Sequence, residues 1–167
     1  MAYCNELKIE FLSLSENEGF ARSCVASFCL PINPSIETIT DIKTAVSEAV
    51  TNCVVHAYPN KVGTITINVR LTDKEIYISI KDNGIGIADI KKAKEPFYTS
   101  KPDSERSGMG FTVMESFMDD VVINSEVNKG TEVVLIKKLE EQNIAIGGWY
   151  AWFCRNTRTY RKSTKWW

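Results

Sequence analysis

Polar and apolar residues alternate in five stretches of the chain, a pattern typical of β-strands with one buried face. These stretches lie near residues 6–13, 63–71, 75–82, 119–126 and 131–139. Short turns separate the second stretch from the third and the fourth from the fifth, so the pattern predicts two β-hairpins.

Helical spacing of apolar residues appears between these strands. Phe20, Cys24 and Phe28 recur four residues apart and predict a helix over 16–29, which Ser15 and Glu18 would begin with a capping box. A longer helix is predicted over 35–57. Its expected core stripe consists of Ile39, Ile42, Val46, Ala49 and Cys53. A short helix follows the third strand, and another covers 109–118.

The order of these elements is β, α, α, β, β, α, loop, α, β, β. Adjacent hairpins with clustered helices favour an α+β fold rather than alternating parallel units. We therefore predict a two-layer α/β sandwich, with helices on one face of a mixed, mostly antiparallel sheet.

Composition narrows the class of protein. Hydrophobic residues make up 44% and charged residues 25% of the 167 residues, as in a globular protein with one sizeable core. No run of 18 apolar residues is present, and the first residues do not resemble a secretion signal. A cytoplasmic protein without membrane contact is expected. The five cysteines form no C-x-x-C pair, and the single histidine, His56, excludes a mechanism that needs two.

The last part of the chain differs from the rest in charge and aromatic content. Residues 144–167 contain five basic residues, no acidic residue and all four tryptophans, whereas residues 1–143 carry a net charge of −6. This shift predicts a domain over 1–140 and a basic, tryptophan-rich extension over 141–167, disordered or foreign to the domain. Its scattered charges without a periodic apolar face do not predict direct nucleic-acid binding.

Three polar or glycine-rich segments are candidates for chemistry. Glu48 and Asn52 lie one turn apart on the second helix, where a carboxylate could act as a base and an amide oxygen could bind Mg²⁺. The sequence DNGIG places Asp82, Gly84 and Gly86 after a strand, where backbone could approach a ligand closely. Taken singly, each pattern also fits a solvated helix face or an ordinary turn.

The third segment, SGMG, opens the fourth helix. Gly108 and Gly110 lie where backbone N–H groups at a helix start attract phosphate. Lys101 and Arg106, in the aperiodic stretch before it, could contact a terminal phosphate. Neither a Walker P-loop nor a Rossmann glycine pattern is present.

The order and spacing of these segments, with KGT in the last hairpin, resemble the GHKL superfamily of ATP-binding domains. The resemblance implies a Bergerat fold that binds ATP or ADP with Mg²⁺. It implies that Glu48 is the base, Asn52 the Mg²⁺ ligand and Asp82 the residue that recognises adenine. It also places a further set of residues at the nucleotide: Gly84, Gly86, Thr99, Ser100, Lys101, Gly108, Met109, Gly110 and Thr131. Arg106 would stabilise charge on the γ-phosphate.

Longer matches, among them EAVTNCVVHAY and TSKPDSERSGMGFTVME, are similar to the sporulation anti-sigma factors, small serine kinases of endospore-forming bacteria. The likeness covers roughly residues 5–139. It implies capture of a sporulation sigma factor and phosphorylation of a serine on an anti-anti-sigma factor. It also implies homodimerisation through the first strand and helix, and partner contact by Arg22.

Three alternatives remain open at this point. A histidine-kinase catalytic domain would need an acceptor histidine on a dimerisation helix, and His56 lies instead at a predicted helix end beside Tyr58. An ATP hydrolase of the Hsp90 or MutL kind would use Glu48 to activate water. A nucleotide-gated module would bind the sigma factor without catalysis.

Overall fold

Five strands form a single antiparallel sheet in the computed structural model, which describes residues 3–72, 74–97 and 108–139. The strands are β1 (Tyr3–Leu12), β2 (Thr64–Thr72), β3 (Glu75–Asp82), β4 (Asp120–Glu126) and β5 (Gly130–Lys138). Their order across the sheet is β1-β2-β3-β5-β4. All five predicted strands are confirmed, and β2–β3 and β4–β5 are the two predicted hairpins.

The expectation of a mixed sheet is corrected for this part of the chain, because all four strand pairings are antiparallel. The helical connection after β3 brings β4 back in the same direction as β3. However, β5 lies between these two strands and runs opposite to both. Two strands that share a direction are therefore never neighbours.

The helices are α1 (Glu16–Cys29), α2 (Ile36–Asn52), α3 (Ile90–Ala93) and α4 (Gly110–Phe117). All of them except α3, which buries no residue, pack on one face of this sheet and confirm the predicted two-layer α+β fold. A 3₁₀ turn, Leu30–Ile32, follows α1, and a π-helical segment, Cys53–Ala57, continues α2. Alternate residues of β2 and β3, such as Ile67 and Ile78, are fully buried against the helices.

Helix α2 matches its prediction closely. It begins where Ser35 accepts a hydrogen bond from the backbone N–H of Thr38 at 3.0 Å, an N-cap. Four of the five predicted stripe residues are buried, and Ile39 packs partly buried against the same core. The stripe therefore anchors the helix that carries Glu48 and Asn52.

Helix α1 exists as predicted, but its capping box and its buried face are corrected. Ser15 has helical backbone angles and makes no side-chain cap, while Glu18 bonds to Arg22 and to Ser47 on α2. The buried face consists of Ala21, Val25, Ala26 and Cys29. Phe20 remains 54% exposed and meets Phe11 edge-to-face. Small residues allow α1 to lie close to α2, so the bulky aromatic faces outward.

Lys137, at the end of β5, ties three elements together. Its Nζ donates to Asp41 Oδ2 on α2 and to the Phe117 carbonyl at the end of α4, both at 2.7 Å. Lys137 and Asp41 side chains are only 18% and 13% exposed. The pair thus joins the sheet to both helices that border the candidate site.

Replacing Lys137 with methionine should lower the free energy of unfolding by about 2 kcal/mol, because Asp41 and the carbonyl would lose a largely buried cationic donor. Urea denaturation measures this loss. Lys8→Met is the control, since Lys8 and Glu10 form an ion pair whose side chains are 63% and 53% exposed. Exposed ion pairs contribute less than about 1 kcal/mol to stability. Equal losses in the two variants would contradict the prediction.

Two predictions lie partly or wholly beyond the described residues. The extension over 141–167 is outside them, as are Thr99, Ser100, Lys101 and Arg106. No helix in the described ranges is long and apolar enough to cross a membrane.

Candidate functional site

A cleft of about 940 Å³ opens between the carboxyl-terminal half of α2, the end of β3, the loop after it and the start of α4. The three segments singled out in the sequence all border it. Its lining includes Glu48, Asn52, Asp82, Gly86, Gly108, Met109, Gly110 and Thr131. Residues separated by up to 85 positions along the chain, from Glu48 to Val133, therefore share one cavity.

One end of the cleft is formed by Glu48, Asn52 and the first residue of α4. A Cβ atom added at Gly110 would lie 3.1 Å from Glu48 Oε2 and 3.4 Å from Asn52 Oδ1. The glycine thus lets α4 begin directly against these two side chains without displacing them. The N–H groups of the first turn of α4 have no partner within the helix and can bind an anion at this end.

The other end contains Asp82, which is only 3% exposed. Its Oδ1 accepts hydrogen bonds from the backbone N–H groups of Gly84 at 2.8 Å and Thr131 at 3.3 Å. Burial raises the pKa of the Asp82 carboxyl, and these backbone bonds partly oppose the rise. Asp82 is therefore a buried carboxylate held by the chain, suited to accept a hydrogen bond from a ligand.

The loop after β3 packs against backbone at each of its two glycines. A Cβ at Gly84 would lie 2.2 Å from the Ala57 carbonyl oxygen, at the end of the π-helical segment. Gly86 has a φ of +70°, and its Cβ would lie 2.2 Å from the Glu126 carbonyl oxygen. Both glycines permit close packing of the loop that forms the cleft wall.

Two side chains that line the cleft, Cys53 and Lys92, and one behind it, Ser125, were missed as site residues in the sequence. Cys53, predicted only as core, places its Sγ 3.6 Å from Asp82 Oδ2. Ser125 Oγ lies 2.8 Å from Thr131 Oγ1 and accepts from the Ile87 N–H at 2.8 Å. Lys92 of α3 also lines the cleft. None follows a recognisable motif, because each reaches the site through tertiary packing.

Tyr58 stabilises the backbone next to the Asp82 end of the cleft. Its hydroxyl donates to the Thr64 carbonyl at 2.7 Å and accepts from the Asn83 N–H at 2.9 Å. These bonds join the end of the π-helical segment to the strand ends beside Asp82. In the sequence, the only feature that drew attention to Tyr58 was its position shortly after His56.

Arg22 lies away from the cleft, between α1 and α2. Its Nη1 donates to Glu18 at 3.1 Å and to Ser47 Oγ at 3.2 Å, and its side chain remains 43% exposed. Ser47 directly precedes Glu48. The arginine that the resemblance assigns to partner contact is therefore held in place, partly exposed, and adjacent to the helix that borders the cleft.

Comparisons with known proteins agree with this fold. The family model described as "Histidine kinase-like ATPase domain" matches residues 13–137. A crystal structure of the RsbU and RsbW domains of a Mycobacterium tuberculosis protein matches 81% of this chain and 32% of that one, with a TM-score of 0.59 and 20% identity. The mycobacterial sensor histidine kinase MprB matches 81% of this chain and 99% of its own, with a TM-score of 0.52 and 14% identity.

The fold and the cleft thus define a histidine kinase-like ATPase domain. The anti-sigma F factor of Clostridium acetobutylicum is 55% identical over 134 residues, which are 80% of this chain and 94% of the relative. That of Clostridium botulinum strain Eklund 17B is 56% identical over 137 residues, 81% and 96% of the two chains. The chain belongs to the anti-sigma F factor family, and the predicted GHKL membership is confirmed.

Proposed function

We propose that this protein is an anti-sigma factor with serine kinase activity. It binds ATP with Mg²⁺ in the cleft, captures a sporulation sigma factor and phosphorylates a serine of an anti-anti-sigma factor. The observation that carries the proposal is the arrangement of the cleft. A buried carboxylate, Asp82, lies at one end, and a carboxylate and an amide, Glu48 and Asn52, lie against the start of α4 at the other.

The Asp82 end fits an adenine base. A carboxylate can accept a hydrogen bond from an exocyclic amine, and apolar side chains that line the cleft, such as Val133 and Ile87, can contact the ring. Thr131 joins Asp82 through its backbone and faces the same cavity. Gly84 and Gly86 hold the loop that would cover the nucleotide.

The opposite end fits the phosphates and a hard cation. The first turn of α4, with Gly108 and Met109 before it, offers backbone N–H groups to phosphate oxygens. Mg²⁺ commonly takes one or two side-chain oxygens and completes its shell with water and phosphate. The Asn52 amide oxygen, next to Gly110, fits this requirement. Thr99, Ser100, Lys101 and Arg106 are proposed to complete the phosphate site.

The chemistry assigned to the chain is a proton transfer. When bound, ATP and Mg²⁺ supply the phosphoryl group and offset its charge. Glu48 takes the proton from the incoming serine hydroxyl, because its carboxylate lies at the phosphate end of the cleft and is not fully buried. Arg106 stabilises charge on the terminal phosphate.

Partner binding is proposed to use Arg22. Its side chain is fixed by Glu18 and Ser47 yet remains partly exposed, so it can meet a carboxylate of a partner at low cost in side-chain entropy. We further propose homodimerisation through β1 and α1, a cytoplasmic location and no direct contact with nucleic acid or membrane. Residues 1–140 form the functional domain, and the extension over 141–167 is dispensable for ATP binding.

The deciding experiment mixes the purified chain with labelled ATP, Mg²⁺ and a candidate anti-anti-sigma factor. Phosphoserine on that partner, lost on chelation of Mg²⁺, is the expected result. Slow ATP hydrolysis that is independent of a protein acceptor would instead favour a hydrolase. ATP-dependent sigma capture without any phosphoprotein would favour a binding module.

Replacing Asp82 with asparagine should weaken ATP binding about 10- to 100-fold, because a charged acceptor for the adenine amine is lost. Titration calorimetry measures the change. Asp89→Asn is a matched control, since Asp89 lines the same cleft but caps α3 by accepting from the Lys92 N–H at 3.1 Å. Asparagine caps helices about as well. An equal loss in both variants would argue against adenine recognition by Asp82.

A further inference from the structure

The two carboxylate oxygens of Asp82 have different surroundings. Oδ1 accepts two backbone N–H groups, those of Gly84 and Thr131. Oδ2 has a different neighbour, the Cys53 sulfur at 3.6 Å. Because each carboxylate oxygen has about two lone-pair positions, Oδ1 is saturated and Oδ2 retains one position for a ligand.

We propose that Cys53 is a positioning residue for adenine recognition: its S–H donates to Asp82 Oδ2 and aims that oxygen at the exocyclic amine of the base. This inference rests on the proposed function, in which Asp82 reads adenine. It adds a residue from the π-helical segment that continues α2 to adenine recognition, which is otherwise assigned to a residue of β3.

The backbone explains how a residue next to Asn52 reaches the other end of the cleft. The helix changes to π geometry at Cys53, and this wider turn runs to Ala57. Cys53 is only 4% exposed yet lines the cleft beside Asp82. Short π segments inside α-helices frequently occur at functional sites. One continuous helix therefore presents Asn52 to the phosphate end and Cys53 to the base end.

The contact joins a thiol, which is a weak donor, to a carboxylate oxygen, which accepts hydrogen bonds when ionised. Burial raises the pKa of Asp82, while its hydrogen bonds to backbone and to Cys53 oppose the rise. Among the residues that the structure describes, the Tyr58 phenol is a further titratable group near Asp82. Glu48, His56, Asp89 and Lys92 line the wider cleft.

The sign of the expected pH effect follows from these contacts. Removing the thiol removes an interaction that favours ionised Asp82, so the carboxyl pKa rises further. Adenine recognition needs the ionised form. The pH at which ATP affinity begins to fall on acidification should therefore move upward in a variant without the donor.

The test compares full-length wild-type, Cys53→Ala and Cys53→Ser proteins by titration calorimetry with Mg²⁺ across a pH series. The two ligands are ATP and the triphosphate of purine riboside, which lacks the 6-amino group. Cys53→Ala should lose about three- to tenfold in ATP affinity, and more at lower pH, with the analogue unchanged. Cys53→Ser, which keeps a donor, should remain near wild type.

Two results would overturn the inference. Equal losses for ATP and the analogue would mean that Cys53 serves only packing, and unchanged ATP affinity would mean that it has no role. Cys53→Val also lacks a donor and replaces alanine if that variant loses cooperative unfolding; it must show the same ATP-selective loss. Failure of wild-type protein to bind ATP would refute the proposed function itself, so the two failures are distinguishable.

Discussion

Replacing Glu48 with glutamine is expected to reduce phosphoryl transfer to the partner serine by about 10²- to 10⁴-fold, the usual contribution of a positioned base. Glutamine has nearly the same size but cannot take the hydroxyl proton. The close approach of this side chain to Gly110 should be preserved. In the wild-type protein, the glutamate oxygen lies 3.1 Å from the position that a Cβ atom added at Gly110 would occupy. ATP affinity should therefore stay within about threefold of wild type, because only the transition state loses an interaction.

Labelled-phosphate transfer under single-turnover conditions measures the chemical step, and calorimetry measures ATP binding. Glu37→Gln is the matched control, since Glu37 lies on the same helix but is exposed in its first turn. Full transfer by Glu48→Gln would exclude the base role. A parallel collapse of ATP affinity would instead assign Glu48 to nucleotide binding.

The elements of the fold could be predicted from sequence because local patterns specify them. Alternation of polar and apolar residues identifies β2 and β3, and a stripe of apolar residues preceded by a serine N-cap identifies α2. The pairing of β5 with β3 was harder to foresee. It depends on where a long connection places β4, and no local pattern in β4 or β5 records that choice.

Helix α1 shows how packing can override local spacing. Phe20 and Ala21 both begin a four-residue apolar repeat, so periodicity alone fits either face. The smaller residues are buried because they let α1 approach α2 closely. Likewise, Glu18 could cap its own helix, but the guanidinium of Arg22 and the hydroxyl of Ser47 provide alternative partners.

The residues of the site likewise fall into two groups: those that a sequence motif identifies and those that only the tertiary structure identifies. Glu48, Asn52, Asp82 and the glycines follow spacings that reflect local geometry, so they could be found by motif. Cys53 and Ser125 contact other site residues only through tertiary packing, which leaves no spacing in the sequence. The π-helical turn that brings Cys53 to Asp82 is also invisible there, because no spacing in VTNCVVHAY distinguishes a π turn from an α turn.

Replacing Gly130 with alanine should lower the free energy of unfolding by about 3 kcal/mol, the second large effect expected here. Gly130 begins β5 with a φ of +100°, a conformation that strains any residue with a side chain. Its Cβ would also lie 2.1 Å from the Asp82 carbonyl oxygen and 2.7 Å from Asn83 Cα. Both contacts are with backbone, so β5 must move away from the end of β3.

That movement has a functional consequence that separates it from ordinary destabilisation. The Thr131 N–H, which bonds Asp82 Oδ1, directly follows Gly130, so displacement of β5 should weaken ATP binding even where the variant remains folded. Urea denaturation and calorimetry below the transition measure the two effects. Gly19→Ala on α1 is the control: its Cβ would meet only Arg22 Nη2 at 4.0 Å, and the change should stabilise by about 0.5–1 kcal/mol. A loss below about 1 kcal/mol in Gly130→Ala would contradict the strain argument, since two backbone contacts and an unfavourable φ would then have been relieved without cost.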